Sequence, residues 1–292
     1  MTDEAIAFGA AWSAGRRRGT DAELRAWLEV AYAACDEADE IARRHFRRDL
    51  LIETKPDRTL VTQADTAIEE RIRERLNEAF PGHGLVGEEY GTDAGGASVR
   101  WYIDPIDGTH NFVRGIPLFA TLLAVERDGE LQAAVLSAPA LATRWWAHRG
   151  GGAWARDATD PTPRRLRVSA VRSIADAHVL YGSAPDALTT VRAPGFESLV
   201  RGAWRDRGFG DFWGYALLAE GAAEVMVEIG LKPWDAAAPL VLVEEAGGRV
   251  TDLDGRRAID TGTFLATNGV LHEAVREQLL RDPTEASDAS SS

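Results

Sequence analysis

Cysteine is almost absent from this 292-residue chain: Cys35 stands alone, which excludes a disulfide framework within the chain and fits a reducing cytoplasm. Among helix-forming neighbours it reads as a small buried hydrophobe. No apolar run approaches the ~20 residues that a membrane-spanning helix needs. The opening "MTDEAIAFGAAWSAG" has acids where a secretory leader would be basic. Basic residues are also scarce, with 33 Lys and Arg against 46 Asp and Glu, a net charge of −13. A field of that sign opposes approach to a nucleic-acid backbone, so a phosphate ligand must be small and met by local cations. The expectation is a soluble cytoplasmic protein with no nucleic-acid or membrane partner. Its 45% hydrophobic and 27% charged residues are ordinary globular proportions, with ample core for one large domain or two modest ones.

Thr20 or Asp21 can cap a helix through "AELRAWLEVAYAACDEADEIARRHFRR", in which Leu24, Leu28, Ala31, Cys35 and Ala38 mark the apolar face. Arg16, Arg17 and Arg18 before it read as a solvated run. A second amphipathic helix, "TAIEERIRERLNEAF", carries Ile68, Ile72 and Leu76 as its stripe and stops at Pro81-Gly82. "GLVGEEYG" reads as a short buried strand ending in two glutamates. From residue 101 the pattern is β, with a hairpin at Asp128-Gly129. The triple glycine 150–152 lacks a following Walker lysine and reads as a turn. "DATDPTPRR" is the best internal boundary, after which strands and helices alternate. The expected organisation is an N-terminal extension (1–20), a helix pair plus antiparallel sheet (21–158), an α/β half (159–282) and a disordered tail (283–292). Proline is cheap only in a helix's first turn, so Pro239 places the start of the helix in "WDAAAPLVLVEEAGG" at or just after Asp235. A helix N-terminus there favours an ionised carboxylate.

Four carboxylates therefore stand at element ends: Glu88, Asp104, Asp107 and Asp235. In "WYIDPIDGTHNF" Asp104 and Asp107 flank Pro105 and run into Gly108 and Thr109. Alone, that stretch reads either as a surface turn or as a place where hard cations meet a phosphate, because Asp, Pro and Gly serve both. If the acids converge, two of them about 4 Å apart repel by roughly 4 kcal/mol at a surface-like dielectric. Bound cations or shifted pKa values must then relieve them. All-oxygen donors select Mg²⁺, Mn²⁺ or Ca²⁺ over Zn²⁺. Pro105 leaves the Ile106 carbonyl available as a further oxygen. Gly108 allows close approach at a helix start suited to phosphate. Thr109 can orient water if Asp65 accepts its proton.

"GEE", "DPIDGTHNF" and "WDAAAPLVLVEEAGG", in this order and with "LVTQAD" upstream, resemble the inositol-monophosphatase superfamily of Mg²⁺-dependent phosphatases over roughly residues 22 to 281. Within it, "SAPALATRWWAHRGGGAW" and "FGDFWGYALLAEG" look most like the histidinol-phosphatase branch. The resemblance implies an α+β, layered α/β/α/β/α sandwich (the sugar-phosphatase fold), usually dimeric. It implies that Glu88, Asp104, the Ile106 carbonyl, Asp107 and Asp235 bind two or three Mg²⁺. Thr109 and Asp65, with Glu88, would serve catalysis, and Gly108 with Thr109 would hold the phosphate. Lys55 matches a lysine near the metal site; the alternative is a solvated lysine. Asp211 and Glu228 match positions facing the leaving group, against the alternatives of a plain helix N-cap and an exposed acid. His110 reads as a pocket-rim or helix-surface residue rather than a ligand. The implied activity is hydrolysis of a small phosphomonoester. Histidinol phosphate comes first and an inositol phosphate is the rival. A non-catalytic metal-stabilised scaffold is the rival of another class.

Overall fold

The computed structural model describes residues 18–56, 59–95, 98–190 and 192–280. Most of the expected extension, with Arg16 and Arg17, and the whole expected tail 283–292 lie outside the described residues. Arg18 does not extend a solvated run: its Nε donates to the Arg149 carbonyl at 2.7 Å and its guanidinium pairs with Asp21 at 2.8 Å. The chain forms two compact units. One holds the residues up to Arg165 plus Pro233–Glu245; the other holds Leu166–Lys232 and the chain from Ala246.

The first unit begins with α1 (Asp21–His45). Of the two candidate caps Thr20 takes the role: its hydroxyl accepts the Glu23 N–H while Glu23 reaches back to the Thr20 N–H. A small hairpin of β1 (Ile52–Thr54) and β2 (Leu60–Thr62) leads into α2 (Gln63–Ala79), which opens with a second capping box, Thr62 and Asp65. The expected stripes of α1 and α2 are buried throughout. Then come β3 (Gly84–Gly87), β4 (Gly91–Asp93), β5 (Val99–Asp107), the short helix α3 (Thr109–Val113), β6 (Ala120–Arg127), β7 (Glu130–Ala138), β8 (Thr143–His148), β9 (Gly152–Arg156) and β10 (Arg164–Arg165). These strands form one sheet in the order β10-β9-β8-β7-β6-β5-β3-β4. β3 and β5 run parallel, and the other neighbours antiparallel. Asp128 and Gly129 turn the β6–β7 hairpin with φ of 52° and 81°, as a type I′ turn requires.

Sheet residues Trp101, Ile103, Leu123, Val125, Val135 and Trp146 point to α1 and α2 and form one core with them. The alternate residues, such as Leu122, Ala124, Leu136 and Trp145, are buried too, on the face against which the helix Pro233–Glu245 packs. Burial on both faces is what a layered arrangement demands. It is also why β6 and β7 read as nearly continuous apolar runs rather than alternating ones.

The second unit contains β11 (His178–Tyr181), α4 (Ala184–Leu188), α5 (Ala193–Gly202), β12 (Arg205–Arg207), α6 (Asp211–Ala219) and β13 (Val225–Ile229). After the helix of the first unit, α7 (Pro233–Glu245), it continues with β14 (Arg249–Thr251), β15 (Thr263–Thr267) and α8 (His272–Leu280). Its mixed sheet has the order β12-β11-β13-β15-β14, parallel among the first three strands and antiparallel at β15. Val179, Val225, Val227, Leu265, Leu271, Val275 and Leu279 form its core. His272 lies within it, 0% exposed, between the hydroxyls of Thr251 and Thr267, each 3.0 Å away. The Thr251 proton goes to the Asp252 carbonyl at 2.7 Å. His272 Nε2 must therefore donate to Thr251, and Nδ1 accepts from Thr267. Burial pushes the ring's pKa down to about 4.

The helix α7 corrects one expectation. It starts at Pro233, not at or after Asp235, and runs through a buried Pro239. Proline at the first helical position is already set in φ. The interior proline forfeits a single N–H bond, the one that the Asp235 carbonyl would have accepted. Ala236, Ala237 and Ala238 ahead of it leave room for the ring. Among the described residues no helix is long and apolar enough to cross a membrane.

Candidate active site

Strand register explains why two acids meet. β3 and β5 are parallel with Gly87 opposite Ile103, and the Glu88 N–H donates to the Ile103 carbonyl at 3.3 Å. Glu88 and Asp104 thus leave neighbouring strands side by side at their carboxyl ends, where ligands of α/β sheets gather. Just beyond, β5 bulges: Asp104 pairs with Leu122 and Asp107 with Ala120, so two residues oppose one. The Thr121 hydroxyl holds the Pro105 carbonyl at 2.8 Å, while the Ile106 carbonyl accepts the Thr109 hydroxyl at 2.9 Å. Gly108, at φ 82°, takes the left-handed corner into α3. His110 is exposed on that helix.

Asp104 is the buried centre of the group. It is 2% exposed, and its Oδ1 has no hydrogen-bond partner among the described residues. Burial first, then the carboxylates of Glu88, Asp107, Asp235 and Asp65, raise its pKa well above the usual range. Asp235, half-buried, comes from the first turn of α7, which packs on β5. Among the described residues no three such side chains are already drawn around one point at ligand spacing. An orphaned buried oxygen amid carboxylates nevertheless fits a hard cation. Oxygen is its preferred donor, and a charge placed there relieves both the desolvation and the repulsion.

Two partners frame this centre. Asp65, the third residue of α2, spends Oδ2 on the Thr62 N–H and hydroxyl at 2.8 and 2.6 Å and turns Oδ1 to the Thr109 hydroxyl at 3.3 Å. Burial raises its pKa to about 6, with the Thr62 bonds opposing and Glu88 assisting. Lys55 is not a solvated lysine: its Nζ lies 2.9 Å from Glu88 and 2.7 Å from Glu89. Burial pushes the lysine pKa down, but the bonds to Glu89 and Glu88 outweigh that and leave it raised. Glu89 is lifted to about 7, by burial first.

Two of these residues, and a buried neighbour, Glu69, escaped the sequence reading. Glu89 was visible as the second acid of "GEE". Thr62 was visible as the cap before "QAD". Glu69, buried one turn after Asp65, could have been found only as an acid on the side of α2 that carries Ile68 and Ile72. The triple glycine is a turn, and the Gly150 and Gly152 N–H groups donate to Glu245 Oε2 at 3.1 and 3.0 Å.

Asp211 and Glu228 belong to the second unit and meet there. The Asp211 N–H donates to Glu228 Oε1 at 3.3 Å and the Tyr215 hydroxyl to Oε2 at 2.7 Å. The N-cap of α6 is Gly210, without a side-chain cap; Asp211 follows it at φ 56°. The reading of Asp211 as a plain N-cap therefore fails, and its strained backbone is the kind of feature that collects at functional sites. Phe212 and Tyr215 are buried, while Trp213 is partly exposed.

Residues 23–284 match the inositol monophosphatase family. The chain is 44% identical over 257 residues to a histidinol-phosphatase of Mycobacterium tuberculosis, covering 86% of this chain and 97% of that protein. It is 36% identical over 266 residues to an inositol-1-monophosphatase of Mesorhizobium japonicum, covering 86% and 94%. Among solved structures, the extragenic suppressor protein suhB of Bartonella henselae superimposes with a TM-score of 0.81 at 31% identity, covering 88% of this chain and 99% of that one. The layered α/β fold is thus that of known inositol monophosphatase and suhB structures.

Proposed function

From the premise that the chain belongs to the inositol monophosphatase family and is a phosphoric monoester hydrolase, we propose that it hydrolyses L-histidinol phosphate to L-histidinol and phosphate. The observation that carries the chemistry is the partnerless, buried Asp104 oxygen among acids on three other elements. Glu88, Asp104, the Ile106 carbonyl, Asp107 and Asp235 would hold Mg²⁺. The metal, when bound, supplies positive charge to the phosphate and lowers the pKa of water. Four carboxylates and a phosphate dianion sum to about −6, which favours two or three ions per site. With the Ile106 carbonyl engaged by a metal, the Thr109 hydroxyl, now 2.9 Å from that carbonyl and 3.3 Å from Asp65, would donate to Asp65 and keep its lone pairs for a water proton. Asp65, pinned by Thr62, fixes that orientation. The Gly108–Thr109 backbone at the start of α3 binds phosphate oxygens. Lys55 pairs with both Glu88 and Glu89 and would fix where the Glu88 carboxylate stands.

Substrate choice rests on the relatives named for histidinol phosphate and on Asp211 and Glu228. The resemblance assigns leaving-group recognition to these two acids, and a charge-assisted bond to the substrate ammonium is worth roughly 1.5–3 kcal/mol. An inositol phosphate offers only hydroxyls; it is the second reading, favoured by the relative named for that substrate. A cytoplasmic homodimer completes the proposal; the buried, unpaired Cys35 suits a reducing compartment. Phosphate release from histidinol phosphate, inositol monophosphate and a generic phosphomonoester, with Mg²⁺ and with chelator, is the test. Histidinol phosphate should lead inositol monophosphate by at least about tenfold in kcat/KM, or about 1.4 kcal/mol. The opposite order would overturn the substrate, and no metal-dependent release from any ester would overturn the site.

A further inference from the structure

Glu69 is fully buried, yet no part of the chemistry proposed above employs it. Its Oε2 accepts the Glu89 N–H at 2.7 Å, and its Oε1 accepts the Tyr90 N–H at 3.1 Å and Arg73 Nε at 2.8 Å. Arg73 continues the chain of contacts, donating through Nη2 to the Gly91 carbonyl and lying over the Tyr90 ring at 5.8 Å. The carboxylate is pressed against the backbone ahead of the turn as well: a Cβ on Gly87 would stand 1.9 Å from Glu69 Oε1 and 2.5 Å from its Cδ. A pair of side chains on one face of α2 therefore grips the turn after β3 at Gly87, Glu89, Tyr90 and Gly91. Glu88 is the residue enclosed between these grips.

A solvent-facing turn satisfies its N–H groups with water and does not need a fully buried carboxylate paired to an arginine, an arrangement that carries a desolvation cost. That cost is understandable if the turn's backbone must be held to within a few tenths of an ångström, as the groups behind metal-binding side chains do. We propose that Glu69, braced by Arg73, is a positioning residue that fixes the peptide from Gly87 to Gly91 and thereby aims the Glu88 carboxylate at Asp104. This rests on the reading of Glu88 as a Mg²⁺ ligand. Glu69 itself touches neither substrate nor metal.

The test uses the full chain and Mg²⁺ alone as the probe. Mg²⁺ affinity is measured by calorimetry, beside the melting temperature in chelator and the Mg²⁺ dependence of phosphate release. Glu69→Gln and Arg73→Met should each weaken Mg²⁺ binding at least tenfold, while kcat at saturating Mg²⁺ falls no more than fivefold. Arg73→Lys, which keeps the charge but not the two-point bridge, should fall between wild type and Arg73→Met. Gly87→Ala, which displaces Glu69 without altering any charge, should also weaken binding. Unchanged Mg²⁺ affinity in the folded variants, with only a lower melting temperature, would reduce the pair to a structural brace. Should Glu69→Gln not fold, the same criterion applied to Arg73→Met and Gly87→Ala decides. A wild-type protein that binds no Mg²⁺ would instead refute the reading of Glu88 as a Mg²⁺ ligand.

Discussion

Lowering the pH should destabilise the second unit through one identifiable group, His272. In the folded chain its ring is neutral, donating from Nε2 to Thr251 and accepting at Nδ1 from Thr267, and burial holds its pKa at about 4. In the unfolded chain the ring takes a proton near the ordinary value of about 6.5. Because the folded pKa is depressed for a base, its contribution is intact above about pH 6.5 and is lost as the pH falls through that value towards 4. The full difference between these two values corresponds to roughly 3.4 kcal/mol. Between pH 7 and pH 5 linkage gives about 1.8 kcal/mol, and allowing for some solvent screening leaves about 1–2 kcal/mol. Other groups titrate over the same range, including His148, whose pKa burial also lowers to about 4. The informative quantity is therefore the difference from His272→Gln, which retains one donor and one acceptor but no titration. Denaturant unfolding at pH 7, 6 and 5 should show wild type losing about 1–2 kcal/mol more than the variant. Parallel losses would mean that the buried imidazole accepts its proton in place, and the tautomer argument would fall with it.

At the site, Asp104→Asn should lower kcat at saturating Mg²⁺ by at least about 10²-fold, in line with the several kcal/mol a metal contributes; near-wild-type turnover would remove Asp104 from the ligand set. Asp235→Asn should melt higher than wild type in chelator, since one repelling charge is gone, and gain less on adding Mg²⁺. Equal melting with and without Mg²⁺ in wild type would show that the acids do not act on one ion. Asp211→Asn should erode the preference for histidinol phosphate over inositol monophosphate while sparing a generic phosphomonoester. Unchanged preference would clear Asp211 of leaving-group recognition.

What could be read from the residues followed the strength of local signals. α1 and α2 announced themselves through capping residues and stripes of Leu, Ile and Ala, and the Asp128-Gly129 hairpin through its turn chemistry. The three-residue strands β1, β4 and β12 carry no period long enough to register, and tertiary pairing alone makes them strands. The start of α7 was misplaced because the rule for proline weighs the lost bond without weighing the burial that offsets it. Acids at strand and helix ends stood out because Asp and Glu interrupt apolar runs there. The parallel register that seats Glu88 beside Asp104, and the bulge that separates Asp104 from Asp107, are properties of strand pairing that no local pattern encodes. Glu69 was hidden for a related reason: an acid in a helix reads as solvated until the partner that buries it, here a turn twenty residues onward, is known.

The turn at Gly150–Gly152 fixes more than a hairpin. It holds Glu245 at the last residue of α7, with Arg149 against Glu244 and Glu245 at 2.7 and 3.6 Å, while Asp235 stands in the helix's first turn. Ten residues of helix separate the two carboxylates, a span of about 15 Å at the usual rise. α7 is thus a ruler clamped at its far end, and the number of residues along it sets both the reach and the bearing of Asp235. One residue inserted between Pro239 and Glu245 would swing Asp235 by about 100° and move it by about 1.5 Å.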